Sequence, residues 1–500
     1  MRMRLGTVVA CVALVGVAAC SGGSRKTSNK SSSSTTVARA QATRGPAATM
    51  STQLTGGRGV YLGEGTPPDL ARDGYVQREY LAAGTATSYR ATTPFTHDGR
   101  WTFVPDATAP YRTRVLVRAP AKTSRFSGTV VVEWLNVSGG VDANPEWVST
   151  AEEIVRRGDI WVGVSAQRIG VEGGPVLVKV TGVAGAEDAG KGLKAIDPPR
   201  YGTLEHPGDG YSFDIFTQVA RAVRDGAGLD GVRPQRVIAA GESQSAFALV
   251  TYDNGVQPLS HAFDGFFVHS RGAIGLPLVA PGKYADLAGA LNGTPTIFRT
   301  DQDAPVMDIQ TETDVSSILD SVAARQPDTD HFRLWEVPGT AHADVHLVGA
   351  ANAKVLNCGV PINDGPMHIV AKAALRALTT WLTTGAAPPV APRIEVTDSP
   401  KPVVRRNADG IALGGVRTPP VDVPVAVLSG APGPNPSTIC LLLGSTTPLP
   451  ASRLAQLYPS RAVYEQRYAA AADAAIKAGF VLPEDRAALL AYADPSRIPA

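Results

Sequence analysis

The stretch RVIAAGESQSAFALVTY, residues 236–252, contains a serine placed where a nucleophile could work. An apolar run leads into GESQS, and helix-like residues follow, so Ser243 would sit at the apex of a strand–turn–helix unit with its hydroxyl free to attack a carbonyl carbon. Such a turn is strained and requires small residues two before and two after the serine, which Gly241 and Ser245 provide. The second position is usually glycine, and short motifs often match by chance, so an ordinary surface turn is the alternative.

A serine nucleophile needs a base, and His342 has the best position for that role. The loop VPGTAH, which ends at His342, directly follows the apolar run FRLWEV at residues 332–337. His331 precedes that run and would lie at the opposite edge of a sheet. His346 has the i, i+4 spacing of a metal pair with His342, but no third ligand has matching spacing, so we predict no metal site.

The acid that orients the histidine should follow the strand before the histidine strand. The sequence TETD, residues 311–314, stands there, and Asp314 lies 28 residues before His342. A carboxylate at this place would accept the histidine Nδ1 proton and stabilise the imidazolium. Asp314 fits the register better than Glu312, which is the alternative acid; Asp314 could also serve only as a helix cap.

The negative oxygen that forms during acyl transfer needs two backbone N–H donors. One is expected from the residue after the nucleophile, Gln244. The other is expected from the loop NVSGG, residues 136–140, which follows a strong apolar strand. We predict Val137 or Ser138 as this second oxyanion donor; a plain turn is the alternative.

The elements around these residues alternate between strands and helices. Apolar runs predict strands, and stripes at helical spacing predict helices. Strands are predicted at 75–81, 111–118, 129–135, 160–164, 237–240, 263–268, 304–310 and 332–337, and helices at 145–157, 213–223, 315–324 and 369–382. This order predicts an α/β-hydrolase fold, with a mostly parallel central sheet flanked by helices and the site at the carboxyl ends of the strands.

The chain divides into four predicted parts. They are a signal peptide at 1–20, a disordered linker at 21–50, the α/β-hydrolase domain at 51–390, and a loop-rich C-terminal appendage at 391–500 packed on the hydrolase body. The linker is rich in Ser, Thr, Ala, Lys and Arg and cannot bury enough apolar area to fold. The loop-rich insert 167–210 and the appendage are expected to form the walls of the pocket.

The N-terminus has the features of an export signal. Arg2 and Arg4 precede an apolar stretch, 5–19, that is too short to span a bilayer comfortably. The stretch ends in VAAC, and a cysteine after small residues resembles a bacterial lipobox. Cys20 would then be lipidated and would hold the protein at the outer face of the cell membrane. The alternative is a plain secretory signal, with Cys20 incidental and the protein secreted.

Composition and cysteine usage agree with an exported globular protein. Charged residues are 18% of the 500 and the net charge is +2, which gives no reason to expect a nucleic-acid partner. Of four cysteines, Cys358 and Cys440 lie outside the signal. Disulfides persist in exported proteins, so one Cys358–Cys440 bridge is the simplest expectation, and two unpaired buried thiols are the alternative.

Seven blocks of the sequence resemble one family. They are WLNVSGG, GESQSAFAL, QTETDV, LWEVPGTAHAD, CGVPINDGPMH, ALGGVRTPPVDVP and CLLLGSTTPL, and together they are similar to the alpha/beta hydrolase domain family of exported actinobacterial proteins. The resemblance runs from about residue 60 to about residue 490. It implies an α/β-hydrolase fold with Ser243 as nucleophile and His342 as base, and it makes Cys358 and Cys440 fixed partners.

These observations favour an exported serine hydrolase that cleaves small carboxylic esters without a cofactor. Ser243 would attack the carbonyl, His342 would transfer the proton, and Asp314 would orient His342. A cell-envelope acyltransferase on the same fold is one alternative. A catalytically silent binding lipoprotein is another.

Overall fold

A computed structural model describes residues 44–183, 185–435 and 437–498. The predicted signal peptide and the lipidation site at Cys20 lie outside these residues, as does most of the predicted linker. The linker was predicted to extend to residue 50, and this boundary is wrong. The first strand already begins at Thr49, which pairs with Ala83 of the next strand, and Met50 is buried in the hydrophobic core.

Nine strands form one sheet, and two more form a separate pair. The strands are β1 Thr49–Gln53, β2 Tyr75–Ala91, β3 Phe103–Pro120, β4 Thr129–Trp134, β5 Ile160–Val164, β6 Arg236–Glu242, β7 Gly265–His269, β8 Val306–Thr311, β9 Phe332–Val337, β10 Ala426–Ser429 and β11 Ser445–Pro448. The large sheet has the order β1-β2-β3-β5-β4-β6-β7-β8-β9. From β5 to β9 all neighbours are parallel, whereas β1, β2 and β3 pair antiparallel. The predicted fold class is confirmed.

Helices connect the strands and cover the sheet. They are α1 Pro145–Arg157, α2 Arg168–Glu172, α3 Leu193–Ile196, α4 Pro198–Tyr201, α5 Ser212–Arg224, α6 Gln244–Thr251, α7 Gln257–Ser260, α8 Leu287–Ala290, α9 Glu312–Ser316, α10 Val345–Val348, α11 Ala350–Ala353, α12 Met367–Thr384, α13 Pro419–Asp422, α14 Ala451–Leu457, α15 Arg461–Lys477 and α16 Arg486–Leu490. One π-helical turn, Tyr252–Val256, continues α6. No helix in the described part of the chain is both long enough and apolar enough to cross a membrane.

The alternation of side chains along the strands divides the core into two layers. On β6, Val237 and Ala239 belong to the core under α5 and α6, whereas Ile238 belongs to the core under α1 and α12. Because successive strand residues point to opposite faces, a strand buried on both faces must be apolar throughout. This is why β4, with all six residues buried, is apolar except for Thr129 and Glu133.

Glu133 fixes the helix that follows its strand. Its carboxylate accepts the backbone N–H groups of Glu146 and Trp147 at 3.0 Å each, and the indole N–H of Trp161 at 2.7 Å. These two backbone donors lie in the first turn of α1, where the helix itself offers no acceptor. The buried carboxyl therefore determines where α1 begins, and α1 forms one wall of the site described below.

One predicted helix is contradicted by the structure, and two strands form where none was predicted. The predicted helix 315–324 is wrong, because α9 ends at Ser316 and only the turn Ser321–Ala324 is helical again. The backbone carbonyl of Leu319, between them, accepts the N–H of Ala273 at 2.8 Å instead of a helical partner. No strand was predicted beyond residue 337, but β10 and β11 form an antiparallel pair in the C-terminal segment.

The segment from residue 391 onward packs against the sheet domain through both apolar and polar contacts. Ile394 shares a buried cluster with Val315, and its N–H donates to Glu336 at 2.7 Å. Leu482 joins the core layer under α1 and α12. Gly430, directly after β10, donates its N–H to Glu312 at 2.8 Å, so the end of β10 lies at the carboxyl edge of the sheet, beside the end of β8.

Candidate active site

Ser243 occupies the sharp turn between β6 and α6 that the sequence predicts. Its φ of 59° and ψ of −123° lie where non-glycine residues rarely occur, which is the strain typical of an exposed nucleophile. A Cβ atom on Gly241 would lie 3.0 Å from the Cβ of Ser245. Residues 241 and 245 therefore press against each other, and a serine is small enough at 245 only because 241 is glycine.

The structure brings Ser243, His342 and Asp314 into one hydrogen-bonded chain. The Ser243 hydroxyl lies 2.8 Å from His342 Nε2, and His342 Nδ1 lies 2.7 Å from Asp314 Oδ1. Ser243 follows β6, Asp314 lies in the turn after β8, and His342 lies in the loop after β9. The carboxyl ends of parallel strands meet at one edge of the sheet, so residues 99 and 28 positions apart in sequence become neighbours.

The charges around the buried pair His342 and Asp314 favour the protonated, positively charged form of the histidine. Burial lowers the pKa of His342, but the charge and hydrogen bond of Asp314, together with Glu242, outweigh burial and raise it above its ordinary value. Burial raises the pKa of Asp314, and the charge and hydrogen bond of His342 reverse this, so the net pKa is lowered. Asp314 is therefore ionised and stabilises the imidazolium that would form when His342 accepts a proton.

Glu312, the alternative acid, does not contact His342. Its Oε2 accepts the backbone N–H of Gly339 at 2.7 Å, and its Oε1 accepts the N–H of Gly430 at 2.8 Å and a guanidinium N–H of Arg406 at 2.5 Å. Glu312 therefore joins the histidine loop and the segment around β10 to the start of α9. The capping box of that helix, in which Thr311 N–H donates to Asp314 Oδ2 at 2.6 Å, turns the other Asp314 oxygen to the histidine.

The three predicted oxyanion donors differ in their position and in the hydrogen bonds that they already make. Gln244 is the first residue of α6, so its N–H has no acceptor in the helix itself. Val137 is fully buried in the core, and its N–H already donates to Gln244 Oε1 at 3.3 Å, so it does not reach the site. Ser138 lies next to Ser243 on the cavity described below, and both its N–H and its hydroxyl contact Asn136 Oδ1, at 2.8 and 2.7 Å. Ser138 remains the predicted second donor.

A buried polar network holds the two loops of the oxyanion region in register. The Asn136 side chain donates to the Glu242 carbonyl at 3.0 Å, directly before the nucleophile. Gln167 Oε1 accepts from Gln244 Nε2 at 2.5 Å and from the Trp134 indole at 3.0 Å. The loop after β4 and the elbow after β6 are thus tied together by side chains that the sequence alone did not single out.

A cavity of about 500 Å³ opens beside Ser243 and His342. This volume lies within the usual range for small-molecule sites. Its walls are mainly aliphatic and come from distant parts of the chain, including Val148 of α1, Val178 and Ala189 of the insert 167–210, Leu347 of α10, and Ile439 and Leu442 of the C-terminal segment. The expectation that the insert and the C-terminal region wall the pocket is confirmed.

Glu242 is a residue of this site that the sequence reasoning missed. Its side chain is 5% exposed, lines the cavity, and lies 3.7 Å from His342 Nε2. Burial raises its pKa to about 7, partly offset by His342 and His269. A signal was present, because a charged residue at the end of a buried strand and directly before a nucleophile is out of place unless it faces the site.

The two cysteines of the described region form a disulfide. Cys358 and Cys440 are bonded, with their Cα atoms 5.4 Å apart, so the predicted pairing is what the structure contains. His346, the other half of the spacing considered for a metal pair, stacks on His368 with ring centroids 3.7 Å apart. The described residues contain no group of three or more His, Cys, Asp or Glu side chains arranged to hold a metal ion.

Comparison with known proteins assigns the family. The family described as "Alpha/beta hydrolase domain" matches residues 43–491, nearly the whole chain. The chain belongs to this alpha/beta hydrolase domain family. The nucleophile turn and the histidine loop of this chain lie at the carboxyl edge of the sheet, as described above. The comparison with curated proteins gives no match.

Solved structures that are similar to this alpha/beta hydrolase include serine hydrolases and esterases. A Xanthomonas campestris protein, described as an α/β serine hydrolase without a lid, is 16% identical, with 51% of this chain and 86% of that chain covered and a TM-score of 0.27. A structure from a study of two fungal esterases from Rhizomucor miehei is 11% identical, with 61% of this chain and 86% of that chain covered and a TM-score of 0.31.

Proposed function

We propose that this alpha/beta hydrolase is an exported serine hydrolase that cleaves carboxylic esters through an acyl-enzyme on Ser243. The observation that carries the proposal is the hydrogen-bonded chain from the Ser243 hydroxyl through His342 to Asp314, with distances of 2.8 and 2.7 Å. The strained backbone of Ser243 and the adjoining cavity support it, because they give a bound ester access to the hydroxyl.

In this proposal Ser243 Oγ attacks the ester carbonyl carbon while its proton passes to His342 Nε2. The carbonyl oxygen becomes negative and is stabilised by the N–H of Gln244 and by Ser138. When the tetrahedral intermediate collapses, His342 gives the proton to the departing alcohol oxygen. Water then attacks the acyl-enzyme, with His342 again the base, and the carboxylic acid leaves. Asp314 remains ionised and orients His342 throughout.

The test is covalent labelling together with turnover. A fluorophosphonate probe should label the wild-type protein, and 4-nitrophenyl butyrate should be hydrolysed. Ser243→Ala should abolish both. Ser245→Ala is the matched control, because Ser245 belongs to the same motif but is fully buried, and its hydroxyl has no hydrogen-bond partner among the described residues. Labelling that persists in Ser243→Ala would exclude Ser243 as the nucleophile.

We propose in addition that Cys20 anchors the protein to the outer face of the cell membrane. Support comes from the charged and apolar segments that precede VAAC in the sequence. The Cys358–Cys440 disulfide also suits an oxidising compartment. Fractionation of cells that express the full chain should find it in the membrane fraction, and Cys20→Ala should move it to the soluble fraction. An unchanged distribution would contradict the anchor.

A further inference from the structure

The cavity beside Ser243 carries negative charge without a positive partner of its own. Two carboxyl side chains, Glu64 and Glu242, line it, and no Lys or Arg is among the described residues that do so. Glu64 is ion-paired with Arg118 behind the wall and accepts the Asn144 amide at 2.5 Å, so its charge is balanced. The carboxyl that remains uncompensated is Glu242.

Glu242 lies close to the reacting atoms, and no described Lys or Arg side chain pairs with it. Its Oε1 lies 3.7 Å from His342 Nε2, beyond hydrogen-bond distance, and the ion pairs of the described residues include none that joins Glu242 to Lys or Arg. His342 already has its counter-charge in Asp314 at 2.7 Å. When Glu242 is ionised, the site therefore carries one additional negative charge immediately beside the nucleophile.

Of the other titratable groups around Glu242, all except His342 hold a fixed charge near neutral pH. His342, His269, Glu146 and Asp314 all interact with it. Burial lowers the pKa of His269 and raises that of Glu146 well above its usual value, so both are neutral, whereas the pKa of Asp314 is lowered and it stays ionised.

We propose that this cavity takes uncharged esters with an apolar acyl or alcohol group, and that Glu242 is the specificity-determining residue that excludes esters carrying a carboxylate. The inference rests on the proposed ester hydrolysis. A substrate carboxylate in the cavity would lose its water without meeting a cation and would be repelled by Glu242. The aliphatic walls favour the binding of a neutral substrate chain, because they remove its apolar surface from water.

The experiment compares two esters that differ only in the terminal group of the acyl chain, which is a methyl ester in one and a carboxylate in the other. Methyl 4-nitrophenyl adipate is neutral, and mono-4-nitrophenyl adipate carries one carboxylate on a chain of the same length. After subtraction of uncatalysed hydrolysis, kcat/KM for the neutral ester should exceed that for the anion by roughly 100-fold or more at pH 8, the order expected for one uncompensated charge in a buried site.

The pH dependence of that ratio identifies the residue. Only enzyme with neutral His342 has its base and can react with either ester, so His342 protonation lowers kcat/KM for both by the same factor and cancels in the ratio. Burial raises the pKa of Glu242 to about 7, so the preference for the neutral ester should fall roughly 10-fold from pH 8 to pH 6 as the Glu242 charge is lost. In Glu242→Gln the ratio should be lower at pH 8 and constant with pH.

Asp344→Asn is the matched control. Burial likewise raises the pKa of Asp344 to about 7, but Asp344 does not line the cavity, and Asn can still cap α10 at the Leu347 N–H. This variant should keep the wild-type pH dependence of the ratio. Equal rates for the two esters in the wild-type protein would overturn the inference, and so would a Glu242→Gln ratio that still varies with pH.

A binding measurement separates this inference from the proposed function. Ser243→Ala cannot turn over either ester, and calorimetric titration should show tighter binding of the neutral one at pH 8. If the wild-type protein hydrolyses both esters but this preference is absent, the inference on charge fails alone. If the preference is present but no ester is hydrolysed by the wild-type protein, the proposed function fails alone.

Discussion

Glu312 Oε2 accepts the backbone N–H of Gly339 at 2.7 Å, and this contact ties the start of the acid-bearing helix to the loop that carries His342. The same carboxylate accepts N–H groups of Gly430 and Arg406, which belong to the C-terminal segment. One buried group therefore joins three parts of the chain that meet only in the folded protein. Its neighbour two residues on, Asp314, faces the histidine instead.

Substitutions of Asp314 and Glu312 should separate the orientation of His342 from the stability of the fold. We expect Asp314→Asn to lower kcat by roughly 10⁴-fold, because the amide cannot hold the histidine in the reactive tautomer. We expect Glu312→Ala to lower the free energy of unfolding by about 3–5 kcal/mol, because it leaves Arg406 and two buried N–H groups without their acceptor. Steady-state kinetics and urea unfolding of both variants provide the check.

The opposite pattern would reverse the assignment. If Glu312→Ala were as stable as the wild-type protein and lost activity to the degree expected for Asp314→Asn, Glu312 would be the acid. Glu312→Gln is a milder companion, since it keeps an oxygen acceptor and removes only the charge that Arg406 pairs with.

The raised pKa of Glu242 should make stability depend on pH. Its pKa is about 7 in the folded protein and about 4.3 when unfolded. Between these values the folded state holds a proton that the unfolded state releases, so the free energy of unfolding falls as the pH rises and the loss is complete above about 7. Relative to wild type, Glu242→Gln should therefore gain about 1–3 kcal/mol at pH 8 and little at pH 5.

Urea unfolding at the two pH values measures this difference. A gain of the same size at both would mean that the substitution acts through packing and that Glu242 is not protonated in the folded state at low pH. The comparison is between the variant and wild type, so the titration of buried groups that do not interact with Glu242 occurs in both proteins and cancels.

Ser138→Ala tests the second oxyanion donor. Both the backbone N–H and the hydroxyl of Ser138 donate to Asn136 Oδ1, and we expect the hydroxyl, which can rotate, to turn to the negative oxygen. Loss of one such donor should lower kcat by about 10²-fold with a small change in KM. Ser138→Thr retains a hydroxyl and should retain more activity. A kcat for Ser138→Ala equal to that of wild type would assign the role to a backbone N–H.

The Cys358–Cys440 disulfide should support both stability and the cavity wall. It closes a loop with a sequence separation of 82 residues, and replacing both cysteines by serine should lower the free energy of unfolding by about 2–5 kcal/mol. Leu356 and Ile439 lie within two residues of the cysteines and line the cavity. We therefore expect KM to rise more for long-chain than for acetyl esters. A uniform change in KM across chain lengths would show that the bridge does not shape the cavity.

Several elements could be predicted from the sequence because their signals are local. The bounds of α1, β5 and β9 agree residue for residue with the prediction, since each is an apolar run or a helical stripe ended by Gly, Pro or polar residues. The predicted helix 315–324 failed because Leu319 gives its carbonyl to Ala273, from a distant loop. Such a long-range hydrogen bond leaves no trace in the periodicity of the segment.

Residue types and their order along the chain determined that a serine, an acid and a histidine would follow three strands of a parallel sheet. Which carboxylate meets the histidine was decided by tertiary structure, because the capping box at the start of α9 turns Asp314 to His342, whereas Glu312 accepts from Gly339 and Arg406. The charge of the cavity was decided in the same way. Glu64 and Glu242 are alike in sequence, but Arg118 neutralises one of them, while folding buries the other beside His342 without a cation.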